Sequence, residues 1–242
     1  MAEIDNIFQR TEMLLGKEAV ASLSRYHVAV FGVGGVGGYV VEVLARSGVG
    51  SLDLYDSDVV NATNINRQII ATTSTLGRYK VDVAAERVRD INPACRVQGF
   101  KMFYVVANAD EVDLSQYDYV VDCIDTVSAK MELVRRCTRL GVPIICSMGA
   151  ANKLDATAFR VADISKTDMD PLARIMRKKL RKEGVEHFKC VYSEEKPLTP
   201  IIDDEQENES SSARPTPASN AWVPAAAGLI LGGEVVLDLI SK

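Results

Sequence analysis

The sequence predicts an α/β chain: a Rossmann-like, doubly wound, mostly parallel sheet, with a C-terminal extension that completes the sheet and carries a basic helix. Three observations predict it. Apolar, β-branched runs alternate with amphipathic stretches of helical period. A glycine-rich turn, "GVGGVGG" at 32–38, joins the first such run to the first amphipathic stretch. An acidic residue, Asp56, closes the next run, about twenty residues further on.

"HVAVFG" (27–32) is apolar and ends in glycine, which reads as a buried strand. "GVGGYVVEVLARSG" continues as a helix with Val40, Val41, Val43 and Leu44 on its apolar side. "SLDLYD" (51–56) is the second strand, and the three together make a βαβ unit of about thirty residues. A helix in "KVDVAAERVRDI", strands in "RVQGFKM" and "YDYVVDCID", a helix in "SAKMELVRRCTRLG" and a strand in "VPIICSMG" extend the alternation. After Gly149, "AFRVADI" reads as another strand. "DPLARIMRKKLRKEG" (170–184) is punctuated as a helix: Asp170 can cap it, Pro171 suits its first turn and Gly184 follows its end. The segment 201–216 is acidic and rich in serine and proline, and reads as a flexible loop. A last helix starts near Pro224. Its run "AWVPAAAGLILGGEVVLDLI" is apolar, yet Pro224, Glu234 and Asp238 favour a buried helix over a membrane span.

Composition narrows the function classes. The chain has 242 residues, 47% hydrophobic and 25% charged, with a net charge of −5, so any contact with a polyanion must come from a local patch. None of the five cysteines (Cys95, Cys123, Cys137, Cys146, Cys190) forms a C-x-x-C pair, which argues against a structural zinc site. Their odd number, and an N-terminus without the basic and apolar regions of a signal peptide, suggest a reducing cytoplasm. Cys123 and Cys146 fall in or beside core strands. The two histidines, His27 and His187, have no Ser–His arrangement around them.

Gly32, Gly34 and Gly37 fit G-x-G-x-x-G, with Gly35 between them. The first glycine permits the tight turn, the second lets the backbone approach a phosphate, and the third lets helix and strand pack closely. The helix N-terminus then offers free N–H groups to an anion, and Asp56 can grip a ribose hydroxyl. On this much a nicotinamide dinucleotide fits best. The continuation "YDSDVVNATNINRQ" changes the balance, because Asp58, Asn64, Arg67 and Gln68 have no part in a dehydrogenase fingerprint. A triphosphate carries about four negative charges and needs cations: Arg67 can supply a bidentate fork and Lys80, in "GRYK", a point charge. As single residues both could equally be solvated surface cations. In "VVDCIDT" (120–126), Asp125 falls at the end of a strand, where a carboxylate can hold magnesium or position a reacting phosphate, or simply cap the next helix. In the 170–184 helix, Leu172, Ile175, Met176 and Leu180 occupy one side, and Arg174, Arg177, Lys178, Lys179, Arg181 and Lys182 crowd the rest. That face is either solvated or a polyanion site.

The order "GVGGVG", "YDSDVV", "TNINRQ", "GRYK", "DCIDT" resembles the ubiquitin-activating type of adenylating enzymes, which includes bacterial activators of sulfur-carrier proteins. "INPACRV", the 170–184 helix and "CVYSEE" resemble the branch of that family that acts on tRNA, the threonylcarbamoyladenosine dehydratases. The resemblance implies that Gly32, Gly34, Gly35, Gly37, Asp56, Asp58, Asn64, Arg67, Lys80 and Asp125 hold ATP. It gives Asp125 the magnesium and the chemistry, with Arg67 and Lys80 on the phosphates. Arg10, in "FQRTEMLLG", matches an arginine that reaches into a partner subunit's site, which implies a homodimer. Cys190 matches the neighbourhood of a cysteine considered reactive, although a packing role is the simpler expectation. Arg174, Arg177, Lys178 and Arg181 would meet tRNA. On this reading residues 1–242 form one domain, with a nucleotide-binding half (1–150) and a half for tRNA binding and dimerisation (151–242). The expected reaction is ATP-dependent adenylation and cyclisation of the threonyl carboxylate, and the alternative is activation of a ubiquitin-like or sulfur-carrier C-terminus. The sequence leaves open a monovalent cation and a sulfur-transfer (cysteine desulfurase) partner.

Overall fold

The computed structural model describes residues 6–201 and 217–241. Two short helices, α1 (Gln9–Leu15) and α2 (Lys17–Leu23), precede β1 (His27–Phe31). There follow α3 (Gly37–Ser47), β2 (Ser51–Tyr55), α4 (Lys80–Ile91), β3 (Arg96–Phe100), β4 (Tyr119–Asp122), α5 (Val127–Leu140) and β5 (Ile144–Ser147). The chain ends with β6 (Phe159–Asp163), α6 (Pro171–Arg181), β7 (Lys189–Ser193) and α7 (Val223–Ile240).

The seven strands lie in the order β3-β2-β1-β4-β5-β7-β6. Every neighbouring pair is parallel except β7 with β6. Four of the five residues of β1, and all of β4 and β5, are buried, as expected for strands covered on both faces. Residues of α2, α3, α4 and α7 pack on one face of the sheet, and α5 and α6 on the other. The strand order reverses between β1 and β4, and an open α/β sheet forms its ligand crevice at such a point, beyond the carboxyl ends of the strands.

The last helix is long and apolar enough to cross a membrane by length and composition, yet more than half of it is buried against the protein. It lies directly on α3 through two glycines. A Cβ on Gly228 would come within 2.3 Å of the Val36 carbonyl oxygen, and one on Gly232 within 2.6 Å of Val43 Cβ. Close backbone contact of this kind needs glycine at both positions.

Three features differ from the sequence reading. The segment 189–193 forms a strand, β7, inserted between β5 and β6; its five residues lack a clear apolar period. β4 stops at Asp122 rather than continuing to Asp125, because Asp122 Oδ1 accepts the Ile124 N–H at 3.1 Å and turns the chain out of the ladder. α1 and α2 were not foreseen. The acidic segment 201–216 lies outside the described residues apart from Ile201.

Candidate nucleotide site

A cleft of about 490 Å³ opens at the β1–β4 switch point, lined by the glycine turn, residues 55–58, Asn64, Arg67, Gln68, Lys80, residues 102–104 and Asp125. The turn divides its glycines by role. Gly32 has φ +86° and donates its N–H to the Tyr55 carbonyl at 2.8 Å, and a Cβ there would meet the Cys123 carbonyl oxygen at 2.7 Å. At Gly37 a Cβ would overlap the Gly32 carbonyl oxygen at 1.8 Å. These two glycines close the turn on itself, so Gly37 packs the turn and does not line the cleft. Gly34 and Gly35 do line it, with no backbone among the nearest neighbours that a Cβ would meet. They present main chain to the cleft, as phosphate approach requires.

Asp56 fixes the turn from the neighbouring strand. Its carboxylate accepts the Val33 N–H at 2.8 Å and the Asp58 N–H at 2.9 Å. Burial raises its pKa above the ordinary carboxylate value, against the pull of Lys80 and the two N–H donors. Lys80, at the start of α4, is only 5% exposed and lies 2.6 Å from Asp58 Oδ2. It is thus a buried cation aimed at the cleft, not a surface lysine. Asn64 is buried and accepts the Asn61 N–H through Oδ1 at 3.0 Å. Arg67 is half-buried and donates from Nη1 to the Thr63 carbonyl at 2.8 Å. Gln68 is buried beside Gly34, and its Oε1 has no partner among the described residues, an acceptor left for a donor in the cleft.

Asp125 is exposed at the mouth of the cleft, and its described hydrogen bond comes from Thr126 Oγ1 at 3.3 Å. The loop that carries it is anchored from below by an ion pair that sequence reasoning missed. Lys130 Nζ lies 2.8 Å from Asp122 Oδ2, off the angle of a hydrogen bond, and donates to the Ile124 carbonyl at 3.0 Å. Both side chains are fully buried. The Asp122 carboxylate raises the Lys130 pKa against the desolvation that would lower it. The charged pair therefore grips Ile124 by both its N–H and its carbonyl, and so sets the direction in which the chain leaves β4 toward Asp125.

A profile of the ThiF family matches residues 8–229, which covers the sheet, the cleft and the first part of α7. The chain belongs to the ThiF family. A tRNA threonylcarbamoyladenosine dehydratase of Bacillus subtilis is 46% identical over 239 residues, with 96% of this chain and 94% of that protein aligned. The enzyme of the same name from Escherichia coli is 38% identical over 204 residues, covering 81% and 76%. The E. coli dehydratase solved in complex with ATP superposes with a TM-score of 0.84 at 33% identity, covering 97% of this chain and 94% of that one. An adenylyltransferase and sulfurtransferase from Arabidopsis thaliana is 36% identical, over only 58% of this chain.

In this member of the ThiF family the remaining expected residues fall outside the cleft. Arg10 is exposed on α1, which has no buried residue and leaves Met13 and Leu14 each 83% exposed. Cys190 is fully buried in β7, and burial pushes its thiol up to about 12. Such burial favours the packing role expected as the simpler one over a reactive thiol. On α6 the buried residues are Ala173, Met176 and Leu180, while Ile175 is 42% exposed instead of joining the apolar side. Arg177 turns inward and donates to the Thr167 carbonyl at 2.8 Å, capping that turn; Arg174, Lys178 and Arg181 remain exposed.

Proposed function

We propose that this chain is an ATP-dependent tRNA threonylcarbamoyladenosine dehydratase. The observation that carries the reading is identity sustained over the whole chain. The B. subtilis dehydratase is 46% identical over 96% of it, whereas adenylyltransferase and sulfurtransferase relatives reach 36% over 58% of it or 28% over 78%. The missing C-x-x-C pairs point the same way.

The site explains how such a reaction proceeds. A free carboxylate is a poor acyl donor because oxide is a poor leaving group. Attack of the threonyl carboxylate oxygen on the α-phosphate of ATP forms a new P–O bond and expels pyrophosphate. The acyl carbon now carries AMP as its leaving group. An internal nitrogen of the modified nucleoside attacks that carbon, loses its proton, closes the ring and releases AMP. The net change in the nucleoside is loss of water.

The protein supplies position and charge more than covalent chemistry. Gly34 and Gly35 offer main chain to the phosphates, Arg67 and Lys80 neutralise them, and Asp56 holds the ribose. Met102, Phe103 and Tyr104 give the cleft an apolar wall suited to a purine ring. Among the described residues no cluster of three acidic, histidine or cysteine groups forms a metal cage. One carboxylate, Asp125, beside the phosphates is the donor set magnesium commonly uses, and the ion would add positive charge at the oxygens of the leaving pyrophosphate. The exposed apolar side of α1 supports a homodimer in which Arg10 serves the partner's cleft. The 151–242 half then carries tRNA binding and part of the dimer contact, in the cytoplasm where tRNA is found.

Asp125→Ala should retain the fold, since the side chain is exposed and lightly bonded, while ATP-dependent cyclisation falls by about 10²-fold or more. The measurement is mass analysis of tRNA nucleosides after incubation with ATP and magnesium. A wild-type chain that releases AMP with a carrier protein but not with tRNA would overturn the function. Full turnover in the variant would overturn the role of Asp125.

A further inference from the structure

A second, larger cleft of about 910 Å³ lies against the nucleotide cleft and shares Asp125 and Pro217 with it. Its walls are the first turns of α5 (Thr126, Val127, Ser128) and the last turn of α6, with Lys179 and Lys182. Arg135 and Glu183 also line it and are bonded to each other, with Arg135 Nη2 2.8 Å from Glu183 Oε1. Their charges therefore cancel. Neither Lys179 nor Lys182 has a carboxylate within ion-pair distance among the described residues, although Lys179 adds to Arg135 in holding the Glu183 carboxyl below its usual value. The cleft thus carries two ammonium groups beyond the Arg135–Glu183 pair, in a wall that also includes Asp125.

Helical phase separates these lysines from the other cations of α6. Lys179 and Lys182 are three apart and share the flank toward α5. Arg174 and Arg181 fall on the opposite flank and Lys178 on the outward pole, and none of them lines either cleft. Arg177 is already used to cap a turn.

We infer that the cleft between α5 and α6 is the RNA entry to the site, with Lys179 and Lys182 holding backbone phosphates of the single-stranded nucleotides that flank the reacting adenosine. The inference rests on the dehydratase reading. It follows from juxtaposition: the carboxylate to be activated must meet the α-phosphate at Asp125, and the cleft that opens on the other side of Asp125 is lined by more cations (Arg135, Lys179, Lys182) than carboxylates (Asp125, Glu183). Compact ammonium groups suit phosphate contacts made through charge rather than base recognition.

The test uses the full chain with tRNA carrying the threonylcarbamoyl group. Lys179→Ala/Lys182→Ala is expected to raise the KM for tRNA about tenfold and to flatten the salt dependence of tRNA binding by about 1.4 in log–log slope, two single-strand phosphate contacts. ATP affinity, measured separately, should stay at the wild-type value. Arg174→Ala/Arg181→Ala should cost tRNA affinity several-fold less. Lys179→Arg/Lys182→Arg should restore most of the binding, which separates charge from folding. Unchanged tRNA binding in the lysine pair, or an equal loss in the arginine pair, overturns the inference while leaving the dehydratase reading intact. Absence of tRNA turnover in the wild type alongside normal ATP binding overturns the dehydratase reading instead.

Discussion

Replacing Lys130 by methionine separates two roles of one buried charge. The side chain keeps its length and loses its ammonium, which stands 2.8 Å from Asp122 Oδ2 and 3.0 Å from the Ile124 carbonyl. Asp122 is then a fully buried carboxylate left with the Ile124 N–H at 3.1 Å and the weak Cys146 thiol donor, and no opposite charge. Removing one partner of a buried pair typically costs about 3–5 kcal/mol. For a chain of this size that corresponds to a fall in Tm of roughly 6–20 °C. Thermal melts followed by circular dichroism measure it directly. Turnover should fall too, measured well below the new Tm, because the backbone that aims Asp125 has lost its anchor. The partner experiment is Asp122→Leu/Lys130→Met, which removes both charges and should recover most of the stability but not the activity. A Tm within about 2 °C of wild type for the single variant, or a double variant as unstable as the single one, would refute the pairing account.

Two further outcomes follow from titration and burial. Asp56 has a raised pKa, so ATP affinity should begin to weaken at mildly acidic pH, above the ordinary carboxylate range near about 4, and Asp56→Asn should bind ATP less well and lack that acid limb. Without nucleotide the sign for stability is reversed. The stability from the protonated carboxyl is fully present below its unfolded pKa and is lost as pH rises through the folded one, so ATP-free melts should show that loss in wild type and not in Asp56→Asn. Cys190→Ala should keep kcat within about twofold and lower Tm by a few degrees, about 1 kcal/mol of lost packing, and a thiol reagent should leave native Cys190 unmodified. Loss of turnover with an unchanged Tm would restore a chemical role for the thiol.

What was legible in the sequence is what short spacing encodes. The glycine turn, Asp56 at the end of β2, and Arg67 and Lys80 beyond it each sit a fixed number of residues from a recognisable strand or helix start, and all of them line one cleft. The parallel core strands were legible for the same reason, since a strand covered on both faces is a continuous apolar run. Features made by contact between distant segments were not. Lys130 falls among apolar residues of "SAKMELV", and nothing local says that it points back at the end of β4 rather than outward. Arg177 counts as one more cation of a basic helix until the turn at Thr167 is seen to need a donor. The apolar wall at 102–104 follows β3 without any motif, so its place in the cleft depends on how that loop folds over the sheet.

Among the described residues Asn152 is one of two non-glycine residues with positive φ, at 60°, a conformation asparagine tolerates better than most residues. Its backbone carbonyl accepts the Leu198 N–H at 2.8 Å, while its N–H donates to the Ala218 carbonyl at 2.8 Å and its side-chain oxygen accepts the Ala218 N–H at 2.8 Å. Asn152 therefore ties the backbone at Leu198 and at Ala218 to one point. That point is flanked by cleft wall in both segments: Ala151 precedes Asn152, and Pro217 and Ser219 flank Ala218. One asparagine thus holds two distant stretches of the wall in register, and a residue without its side-chain oxygen would release the Ala218 side of that wall first.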